Sequence, residues 1–83
     1  MNGTLANIVG LLGSAVFITA FAYSNFAKSM NFILFNLLNL VGAFLLIASL
    51  TVHFNLAAMV MEIAWAFIAM FGLVKALRER TKP

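Results

Sequence analysis

One carboxylate dominates the chemistry open to this chain. Glu62 stands inside the apolar run Leu56 to Val74, with Ala57 to Met61 before it and Ile63-Ala64-Trp65-Ala66-Phe67 after it. A charged side chain near the middle of a bilayer costs roughly 2.5 to 3.5 kcal/mol on insertion scales, so a partner, water, a proton or a role in transport must offset it. No Lys or Arg stands at the depth of Glu62 in any of the apolar runs. The sequence therefore predicts that Glu62 hydrogen-bonds to Ser14, Trp65 or Ser49 and handles a proton or a substrate. A purely structural carboxyl is the plainer alternative.

The second set of polar groups is Asn36 and Asn39, within the run Phe32 to Val52. Positions 36, 39 and 43 share a helix face, because i, i+3 and i+7 are neighbours. Amides in hydrocarbon need partners, so this face should point into protein or a watery cavity. It would serve either as interhelical hydrogen-bond glue or as the lining of a path. At about 1.5 Å per residue, Glu62 falls on the order of 9 Å from the His53–Asn55 boundary and Asn39 about 10 Å from the opposite one. The two should thus differ in depth and need not touch. His53 reads as a loop residue at a water boundary rather than a pH sensor. No second His, Asp or Cys stands at ligand spacing, so no metal site is expected. Nucleophile–base pairs, paired acids and phosphate-binding glycine loops are also missing, so the expectation is no enzyme and no cofactor.

These groups need elements to hold them, and the composition says which. Of the 83 residues, 65 % are hydrophobic and 8 % charged, against about 45–50 % and 25 % in soluble domains. A soluble fold this small could not bury so much apolar surface, so lipid is the solvent that fits. Without cysteine, disulfides and thiolate metal sites are excluded. Three runs, about 5–26, 32–52 and 56–76, each reach the roughly 20 residues needed to cross about 30 Å of hydrocarbon. The chain reads as one three-helix transmembrane unit over 1–83, all-α, with a basic tail at 75–83. The first run has no positive charge before it and two spans after it, so it reads as a span and not as a cleaved leader. In it Ala6, Gly10 and Ser14 recur every fourth residue beside Gly13, and the second run carries Gly42 and Ala43. Small residues at this spacing let helix backbones approach closely. Tyr23 sits where an interfacial aromatic anchor would sit. In the third run, Ala58, Glu62, Trp65, Ala66, Ala69, Gly72 and Ala76 form a stripe of mostly small residues. This stripe should face other helices, while Met59, Ile63, Phe67 and Met70 meet lipid or a partner.

All five basic residues fall in the first connection (Lys28) or the tail (Lys75, Arg78, Arg80, Lys82). Positive flanks favour the cytoplasm, which gives three spans with the N-terminus outside and the C-terminus inside. Nucleic acid is not an expected partner of so short a basic tail.

Gly10 and Gly13 followed by Tyr23, Asn39 with Gly42-Ala43, and Glu62 with Trp65 before a basic tail resemble a family of short bacterial three-helix membrane proteins described as permeases or transporters. The layout is also similar to the SemiSWEET half-transporters of the PQ-loop group, although no span here contains their proline. The resemblance implies a bacterial inner-membrane location and a parallel homodimer around a central path. It also implies a third helix lying between the first two, with Glu62 and Trp65 at the bundle's centre. On these grounds the expected function is a homodimeric half-transporter for a small polar solute, with Asn36, Asn39, Glu62 and Trp65 lining the path. Its alternative is an accessory subunit that binds a larger membrane protein.

Overall fold

Three asparagines open the three helices. Asn2 Oδ1 accepts from the Leu5 N–H at 2.7 Å, Asn31 Oδ1 from those of Ile33 and Leu34 at 3.1 and 3.2 Å, and Asn55 Oδ1 from that of Ala58 at 3.1 Å. A side-chain oxygen at this position satisfies donors that the first turn leaves orphaned. In the computed structural model, which describes residues 1–81, these caps start α1 (Gly3–Phe26), α2 (Phe32–Leu50) and α3 (Leu56–Thr81). All three are long and apolar enough to cross a membrane. The chain is thus an all-helical, multi-pass membrane protein. Lys82 and Pro83 of the basic tail lie outside the described residues.

One end differs from the sequence reading. The second helix closes at Leu50 rather than Val52, because the Val52 and His53 N–H groups both turn back to the Ser49 carbonyl at 3.1 Å. The third helix continues into the tail for about two turns past Val74, to Thr81. This extension is built from good helix formers, and Arg78 and Arg80 favour the negative end of the helix dipole.

Among the described residues the core contains no large side chain. The buried apolar residues are all alanines: Ala6, Ala20, Ala43, Ala66 and Ala69. Leu11 and Phe71, by contrast, are 70 % and 72 % exposed. Lipid tails are as apolar as leucine, so burying large apolar groups drives no association between these helices. Close approach of small residues supplies the van der Waals contact instead. Gly13 and Gly42 face each other where α1 and α2 cross. A Cβ on Gly13 would come within 3.1 Å of the Gly42 carbonyl oxygen, and one on Gly42 within 3.3 Å of the Gly13 oxygen. Gly10 lies against Ser49, whose hydroxyl donates to the Ala6 carbonyl at 2.8 Å. The two connections are tied as well. The Asn31 N–H donates to the Tyr23 hydroxyl at 2.8 Å, and His53 Nε2 lies 3.2 Å from the Gly3 carbonyl at the other end.

The helix order corrects one expectation. The resemblance to SemiSWEET proteins implies the third helix in the middle. Among the described residues α2 is in the middle, packed on both neighbours, and the α1 and α3 backbones do not approach each other. The reason is visible along α2. Gly42, Leu45, Leu46 and Ser49 meet α1, whereas Asn36 and Asn39 meet α3. At 3.6 residues per turn these two faces lie roughly 100° apart. The outer helices therefore splay from a shared middle helix, leaving a cleft between them.

Candidate functional site

That cleft, about 500 Å³ in volume, is where α1, α2 and α3 bring Glu62, Asn39 and Trp65 together. Ser24 lies at the end of α1 near the first connection, so the cleft runs from that end toward the middle of the bundle. Its walls are largely aromatic: Phe17 and Phe21 from α1, Phe35 from α2 and Trp65 from α3. The Phe17 and Trp65 rings meet edge to face, with centroids 6.0 Å apart and planes at 81°. This contact joins the two outer helices through side chains where their backbones stay apart. An edge-to-face pair is a favoured geometry for two quadrupolar rings.

The polar groups of the cleft divide into engaged and unengaged. Asn39 is 6 % exposed. Its Nδ2 donates to the Phe35 carbonyl at 2.9 Å, and its Oδ1 accepts from Trp65 Nε1 at 3.1 Å. Ser24 Oγ donates to the Phe21 carbonyl at 2.7 Å. Glu62 is the exception. Its Oε2 is buried and has no hydrogen-bond partner. In an apolar setting such an atom carries the full cost of lost hydration, whereas the other polar side chains do not.

Several sequence-based placements change accordingly. The expected partners of Glu62 are occupied or elsewhere. Trp65 donates to Asn39, Ser49 donates to Ala6, and Ser14 lines a separate groove with Asn7, Gly10 and Ser49 on the α1–α2 side. Asn39 and Glu62, expected to be separated by depth, share the cleft, because Trp65 stands one turn beyond Glu62 and reaches Asn39. Asn36 does not join them. Its Nδ2 donates to the Phe32 carbonyl at 2.8 Å, and its carboxamide lies over Gly72, where an added Cβ would stand 2.8 Å from Cγ. It belongs to a smaller groove of about 170 Å³ with Phe32, Lys75 and Glu79. The missing side chain at position 72 admits an amide there, while about two turns earlier in α3 the Trp65 indole fills the same interface and takes the Asn39 amide as its acceptor.

Of the small residues, Gly13, Gly42 and Ala43 are buried, and Gly10 and Ser14 are half-buried. The α3 stripe faces inward as expected: Ala66 and Ala69 are buried, and Ala58, Glu62, Gly72 and Ala76 half-buried. Trp65 is the partial exception, 46 % exposed through the open side of the cleft. Phe17, Phe21 and Phe35 escaped the sequence reading. The i, i+4 pair Phe17–Phe21 was a usable signal, since it places two rings on one helix face. Among the described residues no cluster of three or more His, Asp or Glu could hold a metal.

A protein-family model, for a family whose function is uncharacterised, matches residues 6–80. No curated protein and no solved structure matches the chain.

Proposed function

The chain belongs to this uncharacterised family over nearly its whole length, and we propose from its own cleft that it is one half of a homodimeric transporter for a small polar solute. The observation that carries the reading is Glu62 at membrane depth: it lines the cleft that opens between α1 and α3, and its buried Oε2 has no partner. Keeping an intramembrane acid unpaired is costly, and such acids are typical of solute and proton paths. A single chain cannot enclose a path, because its two outer helices splay. A second copy facing the open side would close it, and a closed two-fold pair is the commonest soluble arrangement of identical chains. Asn39 and Trp65 then form a fixed wall, and Glu62 is the group that meets the solute. Asn36 is outside this path.

We place the protein in the bacterial inner membrane with its C-terminus in the cytoplasm. The location rests on the resemblance, and the orientation on the charge pattern: Lys28, Lys75, Arg78 and Arg80 gather at one end, and the opposite end, with Asn2 to Thr4 and His53 to Asn55, has no Lys or Arg. The native chain has no cysteine, so single replacements report orientation cleanly. Thr4→Cys is expected to react with a membrane-impermeant maleimide on intact spheroplasts, and Ser29→Cys only after permeabilisation. The reverse pattern would invert the topology.

Transport itself is tested by counterflow into proteoliposomes across a panel of amines, amino acids and sugars. Uptake of at least one class above protein-free vesicles is expected. If all fail while the folded chain is recovered only in complex with a larger membrane protein, the accessory role replaces this one.

A further inference from the structure

The cleft has a composition that selects among polar solutes, and selects sharply. A sugar or a neutral amide is polar through several hydroxyl or amide groups and needs several free partners to replace its water. This cleft offers few. The Trp65 indole N–H and the Ser24 hydroxyl proton are engaged within the protein, and Asn39 already donates one N–H and accepts one bond. Beside the second Asn39 N–H and the Ser24 lone pairs, what is left is the Glu62 carboxyl and four aromatic rings. A carboxylate supplies a single negative charge, and ring faces attract cations through their quadrupoles. Met61, beside Glu62 on α3, adds an unbranched and polarisable side chain that adapts to an irregular apolar surface. Nor does the protein supply a cation of its own: among the residues that line the cleft there is no Lys, Arg or His.

We propose that the cleft is a binding site for a monovalent organic cation, an ammonium with an apolar or aromatic body, whose charge lies against Glu62 and whose body lies among Phe17, Phe21, Phe35 and Trp65. The inference rests on the reading of the cleft as a solute path and names the class of solute. The volume of about 500 Å³ accommodates such a molecule and lies in the range of small-molecule pockets, roughly 300–1,000 Å³. Permanent cations have no N–H and need no hydrogen-bond acceptor, only a counter-charge and ring faces, whereas a primary ammonium needs acceptors for three N–H groups. A largely aromatic cleft favours the former for that reason.

The chain reports on its own site, since Trp65 is its only tryptophan. The test titrates the purified full chain in detergent with benzyltrimethylammonium while following Trp65 fluorescence, with calorimetry as a second readout. Its uncharged carbon isostere, neopentylbenzene, and benzenesulfonate serve as probes of the same bulk. Saturable binding of the ammonium with a dissociation constant at or below about 1 mM is expected, with the isostere and the anion at least roughly tenfold weaker. Glu62→Gln should remove that preference, and Phe17→Leu should weaken the ammonium severalfold while the helical circular dichroism of both variants stays at the native level. Equal binding of the uncharged isostere, an unchanged Glu62→Gln variant, or no saturable binding of the ammonium each overturns the proposal. The two readings separate cleanly. Cation binding without flux in vesicles leaves this site standing and removes transport, whereas flux of a sugar by a chain that ignores the ammonium does the opposite.

Discussion

Glu62→Gln is expected to cut solute flux roughly 30-fold and leave the protein at least as stable as before. The two effects go in opposite directions for one physical reason. A carboxylate near the bilayer centre costs roughly 2.5 to 3.5 kcal/mol, and a neutral carboxamide of the same shape removes most of that cost. In the folded chain Oε2 has no donor, so the substitution breaks no hydrogen bond there. Toward a cationic solute, however, the charge partner disappears. Truncating one side of a desolvated charge pair costs about 2 kcal/mol or more, which is roughly a 30-fold loss of binding and of flux. The measurement is counterflow in proteoliposomes together with the detergent-denaturation midpoint of each variant. A structural carboxyl would behave the other way. Lower stability with flux intact would assign Glu62 to architecture and remove it from the path.

The second large effect belongs to the crossing of α1 and α2. Leucine at position 13 is expected to lower the denaturation midpoint by the equivalent of about 3 kcal/mol, at the upper end for overpacked interiors, and alanine there by about 1 kcal/mol. Even the first added carbon would sit 3.0 Å from Leu45 Cβ and Leu46 Cγ and 3.1 Å from the Gly42 carbonyl oxygen. The leucine side chains can shift a little. The carbonyl belongs to a helix and cannot, so a larger residue must push α1 and α2 apart. The damage reaches the cleft, because the Phe17 ring lies against Gly42, with Cδ1 3.1 Å from where a Cβ there would stand. Solute binding should therefore fall with the midpoint in Gly13→Leu. A Gly13→Leu protein with native stability would mean that the glycine crossing does not hold the bundle together.

Both effects depend on features that were unequally visible in the residue order. The oddity of Glu62 needed no coordinates, since an acid inside a helix-length apolar run stands out by composition alone. The small residues that line the crossings, Gly13, Gly42 and Ala43 among them, were equally visible. The partner of each polar group was not. Asn36 and Asn39 are the same residue type, one turn apart on one face, and nothing local separates them. Position 72 opposite one is glycine and position 65 opposite the other is tryptophan, and only the register of α3 against α2 sets that pairing. Likewise the asparagines at 2, 31 and 55 read as ordinary loop residues until each is found holding the first N–H groups of a helix.

What the order of residues determined by itself was the solvent and the elements: three apolar stretches long enough for a bilayer, short links between them, and basic residues confined to the first link and the tail. Composition sets these because transfer of a segment into lipid depends on the sum of its side chains and hardly on their neighbours. Only the tertiary structure decided which helix lies in the middle, and with it the cleft. All three helices carry small residues, and lipid supplies no burial gradient to rank their faces. The choice therefore falls to shape at close range: a glycine crossing on one side of α2, an amide–indole bond on the other, and an unpartnered carboxyl in the gap that their divergence leaves.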